Sequence, residues 1–289
     1  MSLTKHQTIL IRAPARRMFH ALTNREDIAK WWGLVQPVTA NDPALWPGMD
    51  REWPITIAGR SQDHTLDLVL NLHHPTDRAR VMPVRLHFSL DSHPDYTLVT
   101  VTTSGLEDEA WATMVNDGWA WVLYALQSWT ESGRSFEERH DPAQFSTLTH
   151  EVTVAASPEW CWTALTDPGI MATWLDAAVR STPEIGGSID IRWHGGNHIG
   201  GEYVLLDAPR TLITHWWDAE SLMKDDDPGL VTQMLWSIES MPEGFSRITM
   251  HDMGYPTATV DPAMLTAIDD GWKEMFDGIA TLAEQENKR

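Results

Sequence analysis

The sequence predicts an α+β protein made of two tandem copies of one domain. Each copy is expected to hold a curved antiparallel sheet wrapped around a long C-terminal helix, with two short helices after the first strand. Two observations lead to this fold: residues 9–31 repeat at 152–174 without a gap, and each half ends in a long amphipathic stripe of helical period. A chain of 289 residues is also long enough to divide into two domains of common size.

The repeat has a constant offset of 143 residues. Near the end of each half there is a second match, Asn-Asp-Gly-Trp at 116–119 and Asp-Asp-Gly-Trp at 269–272. Six pairs in the first match are identical: Ala13/Ala156, Ala21/Ala164, Leu22/Leu165, Thr23/Thr166, Ala29/Ala172 and Trp31/Trp174. We therefore place one domain at residues 1–132, a polar linker at 133–147 and the second domain at 148–289.

Local patterns predict the elements of the second copy in order. Alternating apolar residues up to Val154 indicate the first strand, and Ser157-Pro158 indicates a helix that ends near Thr166. Asp167-Pro168 starts a second short helix in the same way. Five strands with apolar residues at every second position are expected next, at 189–193, 199–206, 212–216, 234–238 and 248–250. Asp261-Pro262 then caps the final helix, whose apolar stripe needs a sheet to cover it.

The first copy departs from this pattern in its middle. Only about eight residues separate Pro75 from the expected strand at 84–90, so one strand is expected to be short or fused. Pro47 and Pro54 make residues 41–60 irregular for a central strand, because proline cannot donate a hydrogen bond to the ladder. We expect the interior of this copy to be closed or remodelled.

Charge and composition narrow the classes of partner. The chain has a formal net charge of −20, of which −4 lies in residues 1–140 and −16 in the remainder. Such a negative field argues against nucleic acid and anionic membranes as partners. No apolar run approaches the roughly 18 residues that span a bilayer, and the N-terminus lacks a signal-peptide pattern, so a cytoplasmic location is expected. The 16 tryptophans and 13 methionines suit either a filled core or the wall of an apolar pocket.

Motifs for catalysis or for metal and cofactor binding are weak, so the sequence predicts no catalytic residue, no metal and no cofactor. His194 and His198 flank a glycine-rich turn and lack the helical spacing of a metal-binding pair. Cys161 is the one cysteine, which excludes an intramolecular disulfide. It is expected to be a buried, inert thiol.

Several short sequence motifs of the second copy occur in the order and at the spacing that are typical of a known family. They are Ala164-Leu165-Thr166-Asp167 ahead of Trp174, Gly186-Gly187-Ser188, Gly201-Glu202-Tyr203, Asp207-Ala208-Pro209-Arg210-Thr211-Leu212 and Asp270-Gly271-Trp272. With Trp31-Trp32-Gly33 of the first copy, the chain resembles the branch of the START-like, or SRPBCC, superfamily named for activators of the ATPase of the ninety-kilodalton heat-shock protein. The resemblance implies the helix-grip fold for nearly all of residues 149–284 and for both ends of residues 6–131.

The resemblance also implies a cavity between the sheet and the last helix, where members of the superfamily bind small molecules. The expected ligand-binding wall consists of Trp193, Leu212, Thr214, Trp216, Met234, Trp236, Met250 and Asp252 from the sheet and Met264, Trp272 and Met275 from the helix. A core filled by these bulky side chains is the alternative. Asp252 favours a cavity, because a carboxylate in an apolar wall needs a partner or a raised pKa.

Three functions remain open at this point. The leading hypothesis is a binding or carrier protein for a small apolar or amphipathic molecule, rather than an enzyme. The second is a chaperone-interacting ATPase activator, which the family name alone implies. The third is a cavity enzyme of the cyclase or hydrolase type, which would need Asp252 to meet Arg192 or His215 across the strands. The tandem arrangement further predicts an intramolecular pseudo-dimer of the two domains.

Overall fold

A computed structural model gives the fold of the chain and describes residues 3–32, 43–45, 52–73, 80–135, 138, 141–218 and 231–286. Pro47 and Pro75, which enter the prediction for the first copy, lie outside these ranges. The chain divides into two compact units, residues 1–140 and 141–289, each of which is taken by itself below. Within the described ranges, no helix is both long enough and apolar enough to cross a membrane.

The first unit has the order strand, two helices, five strands, helix. Its elements are β1 (Leu3–Ile11), α1 (Ala15–Thr23), α2 (Arg25–Trp31), β2 (Pro43–Leu45), β3 (Glu52–Ser61), β4 (Thr65–His73), β5 (Val81–Ser92), β6 (Thr97–Leu106) and α3 (Glu109–Ser132). The strands pair antiparallel in the order β2-β3-β4-β5-β6-β1. The Asp108 carboxylate caps α3 by accepting the Trp111 N–H at 2.8 Å, and Gly133 ends the helix in the left-handed conformation.

The second unit repeats this order with one more strand. Its elements are β7 (Phe145–Val154), α4 (Pro158–Thr166), α5 (Pro168–Trp174), β8 (Ala177–Ser181), β9 (Ser188–Trp193), β10 (His198–Asp207), β11 (Thr211–Asp218), β12 (Val231–Ser240), β13 (Ser246–Pro256) and α6 (Pro262–Glu286). The strands pair antiparallel in the order β8-β9-β10-β11-β12-β13-β7. Ser157 and Asp167 cap α4 and α5 as the sequence predicts, through the N–H groups of Trp160 and Gly169.

The tryptophan of the repeat makes the same hydrogen bond in both units. The Trp31 indole N–H donates to the carbonyl of Ala21 at 2.8 Å, and the Trp174 indole N–H donates to the carbonyl of Ala164 at 2.8 Å. Each bond ties the second short helix to the first and supplies the acceptor that a buried indole needs. The identity of these four residues therefore reflects one buried contact that is present twice.

A second contact is present in both units. It joins the turn after the first strand to the strand that directly precedes the long C-terminal helix. The Thr97 hydroxyl donates to the carbonyl of Ala13 at 2.7 Å, and the Ser246 hydroxyl donates to the carbonyl of Ala156 at 2.7 Å. All four groups are buried, so each hydroxyl satisfies a carbonyl that would otherwise be unpaired. This contact explains why the alanine recurs at the offset of 143 residues.

The structure confirms the predicted α+β fold, with an antiparallel sheet and a long C-terminal helix in each unit. Strand β8 was not predicted: burial alternates along it, but only Ala177 is fully buried, so its apolar signal in the sequence is weak. Strand β7 begins at Phe145, three residues before the predicted start of the second domain. The described part of the first sheet has six strands, one fewer than the second, and Pro54 lies in β3 next to the short β2.

Candidate functional site

A cavity of about 640 Å³ lies between the sheet of the second unit and the N-terminal half of α6. Strands β9 to β13 and the helix all contribute to its wall. The lining residues are Trp193, Asn197, Ile199, Trp216, Trp217, Asp218, Thr232, Met234, Asp252, Tyr255, Met264, Ala267, Ile268, Gly271, Trp272 and Met275. A concave, mostly apolar wall with a few polar groups is the usual form of a small-molecule site.

The cavity is open because α6 changes its contacts along its length. In the C-terminal half, Trp272, Phe276, Ile279 and Ala283 follow helical spacing and are buried in the core of the unit. In the N-terminal half, Met264 is 44% exposed although it lies on the predicted apolar stripe. The first turns of the helix therefore stand over the cavity, while the later turns are packed on the sheet.

Aromatic rings close the inner end of the cavity. The ring centroids of Trp216 and Trp272 are 5.6 Å apart, and those of Trp236 and Trp272 are 5.7 Å apart at a nearly perpendicular angle. Trp236 also stacks on Phe276 with a centroid distance of 5.9 Å. Such offset and edge-to-face contacts are the favoured arrangements of aromatic pairs. These rings give the cavity a rigid floor.

Asp252 is the buried polar group of the wall, with no exposed surface. Its Oδ2 accepts hydrogen bonds from the Tyr255 hydroxyl at 2.5 Å and from the Trp272 indole N–H at 3.1 Å. Burial raises the pKa of the Asp252 carboxyl to about 6, and the donors from Tyr255, Trp272 and Thr232 oppose this shift in part. Burial and the neighbouring carboxylate also raise the pKa of the Tyr255 hydroxyl, so the proton between them stays on Tyr255.

Two buried polar atoms among the cavity-lining side chains have no hydrogen-bond partner in the described part of the chain. They are Oδ1 of Asp252, which is an acceptor, and Nε1 of Trp216, which is a donor. An unpaired buried polar group costs about 1–3 kcal/mol, and such groups are rare in native interiors. The cavity therefore presents one acceptor and one donor that a bound molecule can satisfy.

Seven of the eleven predicted site residues line the cavity: Trp193, Trp216, Met234, Asp252, Met264, Trp272 and Met275. The other four lie deeper. Leu212, Thr214 and Trp236 border a void of about 10 Å³ on the inner side, which is too small for an organic ligand. Met250 is fully buried in the core cluster. The structure thus combines an open outer part with a filled inner part.

Tyr255 is the main polar residue of the site that the sequence analysis missed. Alternation along a strand would place residues 252 and 255 on opposite faces. A shift in register between Met253 and Tyr255 removes this alternation, and Gly254 at a φ of 108° occupies the bulge. A glycine inside an apolar strand was the one available signal for this irregularity.

The residues considered for catalysis or metal binding have other partners. Arg192 pairs with Asp190 at 3.0 Å, and His215 lies 3.3 Å from Glu202, so neither meets Asp252 as the enzyme hypothesis would require. His198 lies 2.8 Å from Asp190. Burial raises the pKa of the Cys161 thiol to about 11, which keeps it protonated and unreactive.

Comparison with known proteins supports the predicted family. Residues 155–284 match the family described as Activator of Hsp90 ATPase homolog 1-like protein, so the resemblance predicted from the sequence is confirmed for the second domain. No curated protein matches the chain.

Solved structures of similar fold include single-domain and di-domain proteins. Protein MLL2253 from Mesorhizobium loti is 21% identical over 48% of this chain and 98% of its own, with a TM-score of 0.43. The di-domain ARO/CYC StfQ from the steffimycin biosynthetic pathway is 14% identical and covers 99% of this chain and 100% of its own, with a TM-score of 0.40. The Aha1 dimer from Colwellia psychrerythraea is 20% identical over 46% of this chain and 99% of its own, with a TM-score of 0.38.

Proposed function

We propose that the second domain binds a small apolar or amphipathic molecule in the cavity between its sheet and α6. The observation that carries this proposal is a 640 Å³ space with a mostly apolar wall. A space of this size suits a drug-sized organic molecule, because ligand pockets commonly enclose about 300–1,000 Å³. Moving apolar ligand surface from water onto Trp216, Met234 and Met275 supplies the affinity.

The two unpaired atoms of the wall support an amphipathic ligand. Asp252 Oδ1 and Trp216 Nε1 are buried without partners in the described residues. A ligand with a polar head can satisfy one or both atoms, whereas a pure hydrocarbon would leave them unpaired.

Native mass spectrometry of the freshly purified full-length protein tests the proposal. We expect a small molecule to accompany the folded protein and to be absent from the denatured mass. Thermal unfolding with a library of apolar and amphipathic compounds provides the second readout, because a ligand that binds only the folded state raises Tm. No adduct and no thermal shift with any compound would overturn the proposal.

Gly271 offers a matched pair of variants for locating the ligand. It lies on α6 in the cavity wall, and a Cβ added there would meet no atom within 4 Å. We expect Gly271→Leu to fill part of the cavity and to weaken binding by about tenfold or more, while Gly271→Ala keeps binding. Both changes raise helix propensity, so equal affinities for the two variants would place the ligand elsewhere.

A second candidate is activation of a chaperone ATPase, which the match of residues 155–284 to the Hsp90-activator family favours. The test is the ATPase rate of purified Hsp90 at saturating concentrations of this protein. An increase that Gly271→Leu leaves unchanged would support a chaperone role independent of the cavity. An unchanged ATPase rate would remove this candidate.

A further inference from the structure

The electrostatics of the cavity wall narrow the chemistry of the bound molecule. Among the described lining residues the titratable groups are Asp218, Asp252 and Tyr255, and none is lysine, arginine or histidine. Asp218 is exposed on the wall and Asp252 is buried in it. Within the described wall, a carboxylate ligand would therefore meet two like charges and no cation, which disfavours fatty acids and other anions.

Among the described residues, the Asp252 carboxylate has hydrogen-bond donors but no cationic partner. The Tyr255 hydroxyl and the Trp272 indole N–H both bind Oδ2, and these donors, like the nearby Thr232 hydroxyl, are neutral. Oδ1 is buried and accepts no hydrogen bond from the described residues. On the adjacent strand β7 and on α6, His150 and Asp269 lie 3.0 Å from each other, so this histidine already has an acidic neighbour. A buried carboxylate in this state favours a cationic donor.

We propose that the cavity selects molecules in which an apolar, ring-sized body carries a protonated amine, and that this amine donates to Oδ1 of Asp252. The inference rests on the proposed function and specifies its ligand class. The rings of Trp216 and Trp272 in the wall, with Trp236 packed behind Trp272, accommodate the apolar body. The ammonium group then neutralises a carboxylate that the fold holds in place through Tyr255 and Trp272.

Three compounds with one shared body and different head groups test this selection. Naphthylmethylamine is cationic, naphthylmethanol is a neutral donor and naphthoate is an anion. We would measure their affinities for the full-length protein by isothermal titration calorimetry at about pH 7.5, well above the pKa of Asp252. We expect the amine to bind roughly tenfold or more tightly than the alcohol, and naphthoate to bind most weakly, because hydrogen bonds to charged groups contribute more than neutral ones.

Variants of Asp252 and of a carboxylate outside the cavity wall separate the direct contact from the general effect of negative charge. We expect Asp252→Asn to remove the preference for the amine while changing the affinity for the alcohol by less than about threefold. Asp277→Asn on α6 is the matched control, because it removes the same charge at an exposed position outside the lining residues, and it should change the affinity for the amine by less than about threefold.

A pH series on the wild-type protein gives a measurement that does not depend on a variant folding correctly. As the pH falls from about 7.5 to about 5, Asp252 takes up a proton and the affinity for the amine should drop, while the affinity for the alcohol should stay constant.

Equal affinities of the amine and the alcohol, or a preference that survives Asp252→Asn, would overturn the amine inference and leave the proposed function standing. Binding of none of the three compounds would also overturn the amine inference, whereas the proposed function is overturned only if native mass spectrometry and thermal unfolding with the compound library find no ligand.

Discussion

The position of Asp252 in the second domain is occupied by Thr103 in the first. The correspondence follows from two shared features of the last strand, both at an offset of 149 residues. Thr97 and Ser246 make the same hydrogen bond, and Gly105 and Gly254 have a positive φ. In this alignment the tyrosine that holds Asp252 also has an aliphatic counterpart, because Leu106 takes the place of Tyr255.

The neighbouring strands show the same contrast between the domains. Met234 pairs with Asp252 in the second sheet, and Leu86 pairs with Thr103 in the first. Leu70 in β4 takes the place of Trp216 in β11 and is 1% exposed. The second domain therefore has Asp252, Tyr255 and Trp216 at positions where the first domain has Thr103, Leu106 and Leu70.

The floor of the cavity, in contrast, is common to both domains. Trp119 meets Phe88 edge-on with a centroid distance of 5.6 Å, and Trp272 meets Trp236 in the same way at 5.7 Å. Both domains therefore use one frame of strands, helix and aromatic floor. Within this common frame the described side chains on the two sheets differ, which is why the fold alone does not carry the function.

The largest effect should come from removing the tryptophan–carbonyl hydrogen bond that is present within each domain. We expect Trp31→Ala and Trp174→Ala each to lower the stability of their own domain by about 3–5 kcal/mol, because each change leaves a large cavity and an unpaired carbonyl. Hydrogen exchange of the full-length protein, followed by peptides from each domain, reports the two effects separately. A small effect in one domain only would show that the shared hydrogen bond supports the two domains unequally.

Moving the carboxylate into the first domain should have the next largest effect. Thr103 is 2% exposed, and Leu106 cannot donate a hydrogen bond to a carboxylate next to it. We expect Thr103→Asp to destabilise the first domain by about 3 kcal/mol at neutral pH, since a buried charge is costly and Lys5, the residue opposite Thr103 on β1, already pairs with Glu109 at 3.0 Å. Thr103→Asn is the uncharged control of similar size. If urea denaturation gives equal stabilities for the two variants, the first interior tolerates charge and the contrast between the domains fails.

The dependence of the free energy of unfolding on pH should also differ between the domains, and this effect is expected to be smaller than that of Thr103→Asp. Burial raises the pKa of Asp252 to about 6 in the folded state, above its value of about 3.9 in an unfolded chain. The folded state therefore holds this proton more tightly, and protonation stabilises the second domain as the pH falls from about 7 to about 4. Linkage gives a gain of up to about 3 kcal/mol relative to Asp252→Asn. Urea denaturation of both proteins across this range measures the difference, and a constant difference would contradict the raised pKa.

Much of the fold could be predicted from the sequence because its signals are local. Caps at Ser157, Asp167 and Asp261, apolar alternation and the repeat itself gave the order of the elements. Strand β8 could not be predicted, since the residues on its inner side are Ala177, Val179 and Ser181, of which only Ala177 is buried, and they give a weak apolar signal. The extent of an element at the edge of a sheet depends on pairing with β9, which a single sequence does not display.

The site could be predicted only in part, because its boundary depends on packing between distant segments. The family resemblance predicted that Trp216, Met234 and Asp252 face inward, and all three line the cavity. It also assigned Trp236 and Met250 to the wall, although Trp236 packs against the Trp272 ring and Met250 is buried in the core cluster. Whether a given inward side chain meets a ligand or another side chain depends on where the helix departs from the sheet.

The caps of the second short helices should give the smallest effect and the finest comparison between the domains. Asn24 Oδ1 accepts the N–H groups of Glu26 and Asp27 at 2.9 and 3.1 Å, and Asp167 Oδ1 accepts those of Gly169 and Ile170 at 2.8 and 3.0 Å. We expect Asn24→Ala and Asp167→Ala each to cost about 1 kcal/mol in urea denaturation read by hydrogen exchange. The cost of Asp167→Ala should rise at low ionic strength, because its charge also interacts with the helix dipole, whereas that of Asn24→Ala should not. An equal salt response of the two variants would show that hydrogen bonding alone accounts for both caps.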